Sequence, residues 1–218
     1  MKVRTRMAPS PTGDLHIGGL RTALYDYAWA KKNKGQFVLR IEDTDKERLV
    51  PGSLERLLLA FREYGLLWDE GPEVDGPYGP YIQSQRLEMY KKYALELVEK
   101  NKAYYCFCTK ERLDELRKSQ LSHHDKPGYD RHCRNLTQND REKNLKEGKP
   151  FVIRLKVPDG QDIVFNDLVR GEIKTNSLSV DDQVLLKSDG FPTYHLAVVI
   201  DDHLMEITHI IRANEWIP

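Results

Sequence analysis

The chain is short of cysteine and has no long apolar run, and each shortage excludes a class of protein. Three cysteines among 218 residues, with Cys106 and Cys108 one residue apart, do not make a secreted disulfide framework. They fit reduced thiols or metal ligands. No apolar stretch approaches the roughly 18 residues that cross a bilayer, and Met1 to Met7 is an alternating cationic strand pattern without a signal-peptide core. The expected address is cytoplasmic, with no membrane partner. Charge of one sign is missing as well: 34 Lys and Arg balance 34 Asp and Glu, so a polyanion would have to be held by local patches. With 39% hydrophobic and 31% charged residues, the composition is that of a globular chain able to bury a core without staples.

Residues 2–8 alternate around Val3, Thr5 and Met7 and stop at Pro9-Ser10-Pro11-Thr12-Gly13-Asp14, which reads as a strand followed by a stiff loop. From Gly18, the spacing of Leu20, Ala23, Leu24, Tyr27, Ala28 and Ala30 predicts a helix lying on a sheet and ending near Asn33 to Gly35. Gln36 to Ile41 then reads as a buried parallel strand, which completes a βαβ unit. Pro51 is placed as the first residue of a second helix closed by Gly65, and Ser84 as the cap of a third that ends near Asn101. After Tyr104 the pattern changes to short apolar runs (Val152 to Val157, Ile163 to Phe165, Leu168 to Ile173), with no strong helical repeat beyond about Lys118. Periodicity returns at Val184, and Ile207 to Ile211 reads as a last strand. The expectation is an α/β fold with a Rossmann-like parallel sheet, residues 1–103 its first half, 104–183 an inserted mixed α/β subdomain and 184–218 the start of its second half.

His16-Ile17-Gly18-Gly19 falls where a loop enters a helix, so backbone N–H groups and the helix dipole would face the crevice beyond the sheet's carboxyl edge. Gly18 and Gly19 allow a ligand to approach the backbone, and His16 can donate to phosphate oxygens. Taken alone, a glycine pair at a helix start is equally a packing or capping device.

The strings Arg6 to Gly19, Arg40-Ile41-Glu42-Asp43-Thr44-Asp45 and Ile211-Arg212-Ala213-Asn214-Glu215-Trp216 closely resemble the catalytic domain of the glutamyl-tRNA synthetase family of class I aminoacyl-tRNA synthetases. Gly76 to Arg86, Ser188 to Tyr194 and Asp201 to Met205 match in the same order, so the resemblance runs nearly the whole chain. It implies that glutamate's carboxylate attacks the α-phosphate of ATP, giving glutamyl adenylate and pyrophosphate, and that the glutamyl group then passes to the 3′-terminal adenosine of tRNA(Glu). Catalysis of this kind is positioning and charge stabilisation by His16, Gly18, Gly19, the helix N-terminus and Mg²⁺, without a protein nucleophile.

By the same resemblance, Arg6 meets the substrate's side-chain carboxylate, Glu42 its ammonium and Arg212 its α-carboxylate, with Ala8, Ser10 and the Tyr194 hydroxyl lining the amino-acid pocket. ATP would meet Thr12, His16, Gly18, Glu215 and Trp216. Residue by residue, Arg6 and Arg212 also read as solvated strand-edge charges, Glu42 as a capping carboxylate and Trp216 as a core aromatic. The inserted subdomain would bind the tRNA acceptor stem, although its basic excess is small. The resemblance further implies a monomer.

Cys106-Phe107-Cys108 and Tyr129…Cys133 offer thiolates and an oxygen for a tetrahedral zinc, as in some members of the family, with His132 as the alternative fourth ligand and metal-free thiols as the alternative altogether. His123 and His124 read as surface residues. A Lys-Met-Ser-Lys-Ser-like loop and a helical anticodon-binding region are missing from the sequence, so the chain reads as a catalytic-domain fragment expected to activate glutamate poorly. Two other readings remain: the paralogue that glutamylates queuosine in tRNA(Asp), against which Asp43-Thr44-Asp45 and Arg212 to Trp216 stand, and a non-catalytic RNA-binding module.

Overall fold

The computed structural model describes residues 2–213. It divides into two compact units, Met1–Met89 with Ala197–Pro218, and Tyr90–Leu196.

In the first unit, β1 (Arg4–Met7) and β2 (Gln36–Leu39) run parallel, from Arg4 opposite Gln36 to Met7 opposite Leu39. They are joined by α1 (Ile17–Lys32), the expected βαβ unit. His16 is extended and caps α1 by accepting the Gly18 N–H on Nδ1, while Lys31 and Lys32 occupy the last turn, where cations suit the helix dipole. Small residues bring this helix close to the sheet: Ala23 and Ala30 are fully buried, as is Asp26, whereas Leu24, expected inside, is half exposed. Gly35 makes the return possible, because a Cβ there would collide with the Val3 carbonyl. Backbone does not give way, so Gly35→Ala should cost about 2–4 kcal/mol; a urea midpoint equal to that of the wild type would refute this.

The sheet continues past β2 through single parallel bridges, Val38 to Glu70 and Ile41 to Ile82. Phe37, Leu39 and Ile41 pack on one face with Leu57, Leu58 and Phe61 of α2 (Ser53–Glu63), and Val38 packs on the other with Tyr81 and Met205. Burial on both faces is why this strand reads as continuous apolar sequence rather than an alternation.

Three sequence expectations are corrected here. The helix after Pro51 begins at Ser53, because Gly52 takes a left-handed conformation (φ 73°) and turns the chain first. Ser84 caps nothing; its N–H and Oγ both donate to the Asp43 carboxylate, at 2.8 and 2.6 Å, ahead of α3 (Leu87–Glu99). Residues 207–211 form no strand, since the Arg4 N–H is taken by the Thr208 hydroxyl and the Arg4 carbonyl accepts from both Thr208 and His209, which closes off a ladder. The apolar run Ala197 to Ile200 lies inside α6 (Tyr194–Leu204).

The second unit holds an antiparallel sheet, ordered β3 (Ala103–Cys106), β4 (Val152–Leu155), β7 (Val184–Leu186). The helices α4 (Lys110–Ser122) and α5 (Gln138–Lys146) are capped by Thr109 and Thr137. α5 escaped the sequence reading because Leu145 is its one apolar residue; the Thr137–Asp140 cap was its signal. Asp182, fully buried, ties the unit together by accepting from the Tyr104 hydroxyl, Arg134 Nη1 and the Val157 N–H. β5 (Asp162–Asp167) and β6 (Gly171–Asn176) form a hairpin, so the expected run Leu168 to Ile173 is interrupted by a turn that exposes Leu168 and Val169.

Candidate functional site

The carboxyl ends of β1 and β2 carry a buried string of charges. Strand twist and pleat put Arg6 and Arg40 inside rather than in solvent, since α6 covers that face and supplies Asp201 and Asp202. Asp202 accepts from Arg6 Nε (3.1 Å) and Nη2 (3.2 Å) and from Arg40 Nη1 (2.8 Å). Arg40 continues through Nη2 to Glu42 at 3.0 Å, and Asp201 receives Arg86 Nε at 2.8 Å and Gln83 Nε2 at 2.9 Å. Three guanidiniums thus face three carboxylates, with Arg6 and Glu42 linked through Asp202 and Arg40. Burial pushes the Glu42 carboxyl above its usual range, against the pull of Arg40, so it gains from a further cation. Among the described residues Arg6 uses Nε and Nη2 on Asp202 alone, and its Nη1 edge makes no hydrogen bond.

The loop leading to α1 is fixed from below. Ser53 exchanges hydrogen bonds with the Gly13 N–H and carbonyl, Arg56 holds Asp14 at 2.6 Å, and Glu42 N–H donates to the Pro9 carbonyl. His16 is exposed at the helix entrance; with Nδ1 accepting, its neutral ring carries the proton on Nε2, facing outward as a donor. The first turn of α1 has no acidic residue to offset the dipole. Gly18 and Gly19 have ordinary helical backbones, and a Cβ on either would press at 3.2 Å only on His16 or Leu15.

Of the remaining predicted residues, Ala8 and Thr12 are half-buried and Ser10 exposed in the loop after β1. Arg212 is exposed in the irregular segment after α6, and Tyr194, half-buried, opens α6 within the second unit. Glu215 and Trp216 lie outside the described residues. Arg40, Asp201 and Asp202 sat inside quoted motifs without a role. Asp26 was missed, though a carboxylate between Ala23 and Ala30 on an otherwise apolar face was the signal.

A second cluster lies at the end of β3. The sulfurs of Cys106, Cys108 and Cys133 fall within 4.8 Å of one another, Cys108 and Cys133 being 3.6 Å apart. The Tyr129 hydroxyl stands 3.2 Å from Cys106 and 3.4 Å from Cys108, while the exposed His132 is not among the clustered groups. Hydrogen bonding from Cys133 draws the Cys106 thiol down to about 4, the same contact raises Cys133, and burial raises Tyr129. A tetrahedral site with bonds of about 2.3 Å has edges of about 3.8 Å, so this donor set fits zinc with little adjustment. Arg112 approaches Cys108 at 3.5 Å, and the Arg154 guanidinium lies 3.8 Å above the Tyr129 ring, where both would balance thiolate charge.

The model of the family "tRNA synthetases class I (E and Q), catalytic domain" matches residues 2–218. A glutamate–tRNA ligase of Clostridioides difficile is 54% identical over 225 residues, covering 100% of this chain and 46% of the relative. That of Fusobacterium nucleatum is also 54% identical, covering 100% of the chain and 42% of the relative. A crystal structure of a glutamate tRNA ligase from Elizabethkingia meningosepticum in complex with its amino acid superposes with a TM-score of 0.94 at 48% identity, over 99% of this chain and 44% of that one. The chain therefore spans about half the length of the relatives it matches. With its parallel βαβ unit, its inserted antiparallel sheet and a match running through residues 2–218, the chain belongs to the class I tRNA synthetase family of the E and Q type.

Proposed function

We propose that the chain binds L-glutamate and ATP and activates the amino acid as glutamyl adenylate for transfer to tRNA(Glu), as part of a cytoplasmic, monomeric glutamate–tRNA ligase. The observation that supports this is the Arg6–Asp202–Arg40–Glu42 string, which sets a cation and an anion side by side at the carboxyl ends of adjacent parallel strands. That edge is where open α/β sheets receive ligands. In this reading Arg6 offers Nη1 to the side-chain carboxylate and Glu42 takes the ammonium. Arg212, with Ser10, Ala8 and the Tyr194 hydroxyl, holds the α-carboxylate end. Gly18, Gly19, Thr12 and the His16 Nε2–H receive the phosphates, while Glu215 and Trp216 complete the nucleotide pocket. Mg²⁺ would supply charge neutralisation on the phosphates. The protein's own contribution is orientation: Asp202 fixes the Arg6 plane, and the Ser53 and Arg56 ties fix the phosphate loop.

In the same reading Cys106, Cys108, Cys133 and Tyr129 hold zinc, which cross-links β3 to the segment before α5, and residues 104–183 form the insertion that receives the acceptor stem.

Calorimetric titration with a non-hydrolysable glutamyl adenylate mimic tests the pocket. Arg6→Ala, Glu42→Gln and Arg212→Ala are each expected to weaken binding about 10- to 100-fold, the worth of one charge-assisted contact. Wild-type affinity in all three would place the amino acid elsewhere.

A further inference from the structure

We infer that Asp26, held as an uncharged carboxylic acid behind Arg6, is a specificity-determining residue that makes the pocket prefer a substrate carboxylate over the corresponding amide. This rests on the reading of Arg6 given above. Asp26 is fully buried on the face of α1 toward β1, its backbone carbonyl accepting from the Thr5 hydroxyl, and among the described residues neither of its carboxylate oxygens has a hydrogen-bond partner. An ionised carboxylate without a hydrogen-bond donor is among the costliest groups to bury, so the site holds the neutral acid.

The charged groups acting on Asp26 come from two other elements. Arg6 on β1 attracts it, Asp202 on α6 repels it, and each already engages the other. Beyond them Arg40, just past the end of β2, is committed to Glu42, Asp201 and Asp202. On α1 itself, Asp26 is the one buried charged residue. Burial carries its carboxyl to about 8, with Arg6 pulling down and Asp202 pushing up.

The consequence is arithmetic of charge. Arg6, Arg40 and Arg86 balance Glu42, Asp201 and Asp202, so with Asp26 neutral the string carries no net charge and the unengaged edge of Arg6 can take one incoming anion. Ionised Asp26 would supply that anion from within. A glutamate side chain would then be opposed by the buried negative charge that already acts on Arg6, whereas a glutamine amide is indifferent to it. Discrimination between the two substrates is therefore set by the proton on Asp26.

The test compares glutamyl and glutaminyl adenylate mimics by competition binding between pH 6.5 and 9. Their shared α-amino group titrates alike in both, so the ratio of affinities isolates the side-chain end. For the wild type the glutamyl preference is expected to fall about tenfold from pH 7 to pH 9, one protonation's worth above the midpoint. In Asp26→Asn, and in Asp26→Leu, which lacks any polar group, the preference should stay constant. Infrared spectra provide a ligand-free readout: a protonated carboxylic acid C=O band at pH 7 that Asp26→Asn removes. A pH-independent wild-type ratio, a decline that survives in both variants, or no such band each overturns the inference. A band with no binding of either mimic at any pH overturns the Arg6 reading, and the specificity role with it.

Discussion

Arg40→Met should destabilise the chain by about 3–5 kcal/mol, the cost of leaving buried carboxylates without their cation. The Arg40 side chain is completely buried and touches Glu42, Asp202 and Asp201 at 3.0, 2.8 and 3.6 Å. Methionine fills much of the volume, so the loss reports charge rather than cavity. Glu42, whose carboxyl burial already pushes up, would then shed its charge by taking up a proton, and Arg6 would lose the brace that orients it through Asp202. Urea unfolding should show a lower midpoint with an unchanged slope, and the glutamyl adenylate mimic should bind more weakly even where the variant is folded. Arg56→Met is the control: its pair with Asp14 is exposed, and such pairs contribute about 0.2–1 kcal/mol. Equal losses in the two variants would mean that the string is not the organising element of the site.

How much of this was legible in the sequence depends on where the signal is local. The βαβ unit was, because Gln36 to Ile41 is short and apolar and the helix before it carries its own start and stop. The thiol cluster was, because the spacing of Cys106 and Cys108 and of Tyr129 and Cys133 brings each pair together with little help from tertiary structure. Residues 207–211 misled because β-rich composition says nothing about which donors are free, and the Thr208 side chain intervenes at Arg4. The charge string was legible only as motif fragments. Its partners stand 162 and 196 residues apart in sequence, so no spacing rule finds them. Arg6 and Arg40 look like solvent-facing charges until α6 is known to cover them.

Asp26→Asn is expected to have the opposite sign to the Arg40 change: a gain in stability that grows with pH. The folded state lifts the Asp26 carboxyl from 3.8 to about 8, chiefly by burial. Between those values the folded chain keeps a proton that the unfolded chain releases, so raising the pH favours unfolding. The stability associated with Asp26 is complete below about pH 4 and is lost progressively until the folded carboxyl itself ionises near pH 8. Linkage sets a ceiling of roughly 6 kcal/mol on the loss, and relaxation around an ionised Asp26 brings the expected difference to about 2–4 kcal/mol. Asparagine keeps the shape without the charge, and its amide is no worse supplied with partners than the acid it replaces. The variant should therefore match the wild type in urea unfolding at pH 4 and exceed it at pH 8, since every other titrating group is common to both. A difference that is constant across this range would show that Asp26 is ionised in the folded chain at neutral pH. The wild type would then have to be supplying it with a donor, and the Arg6 pocket would carry one more negative charge than the buried string otherwise allows.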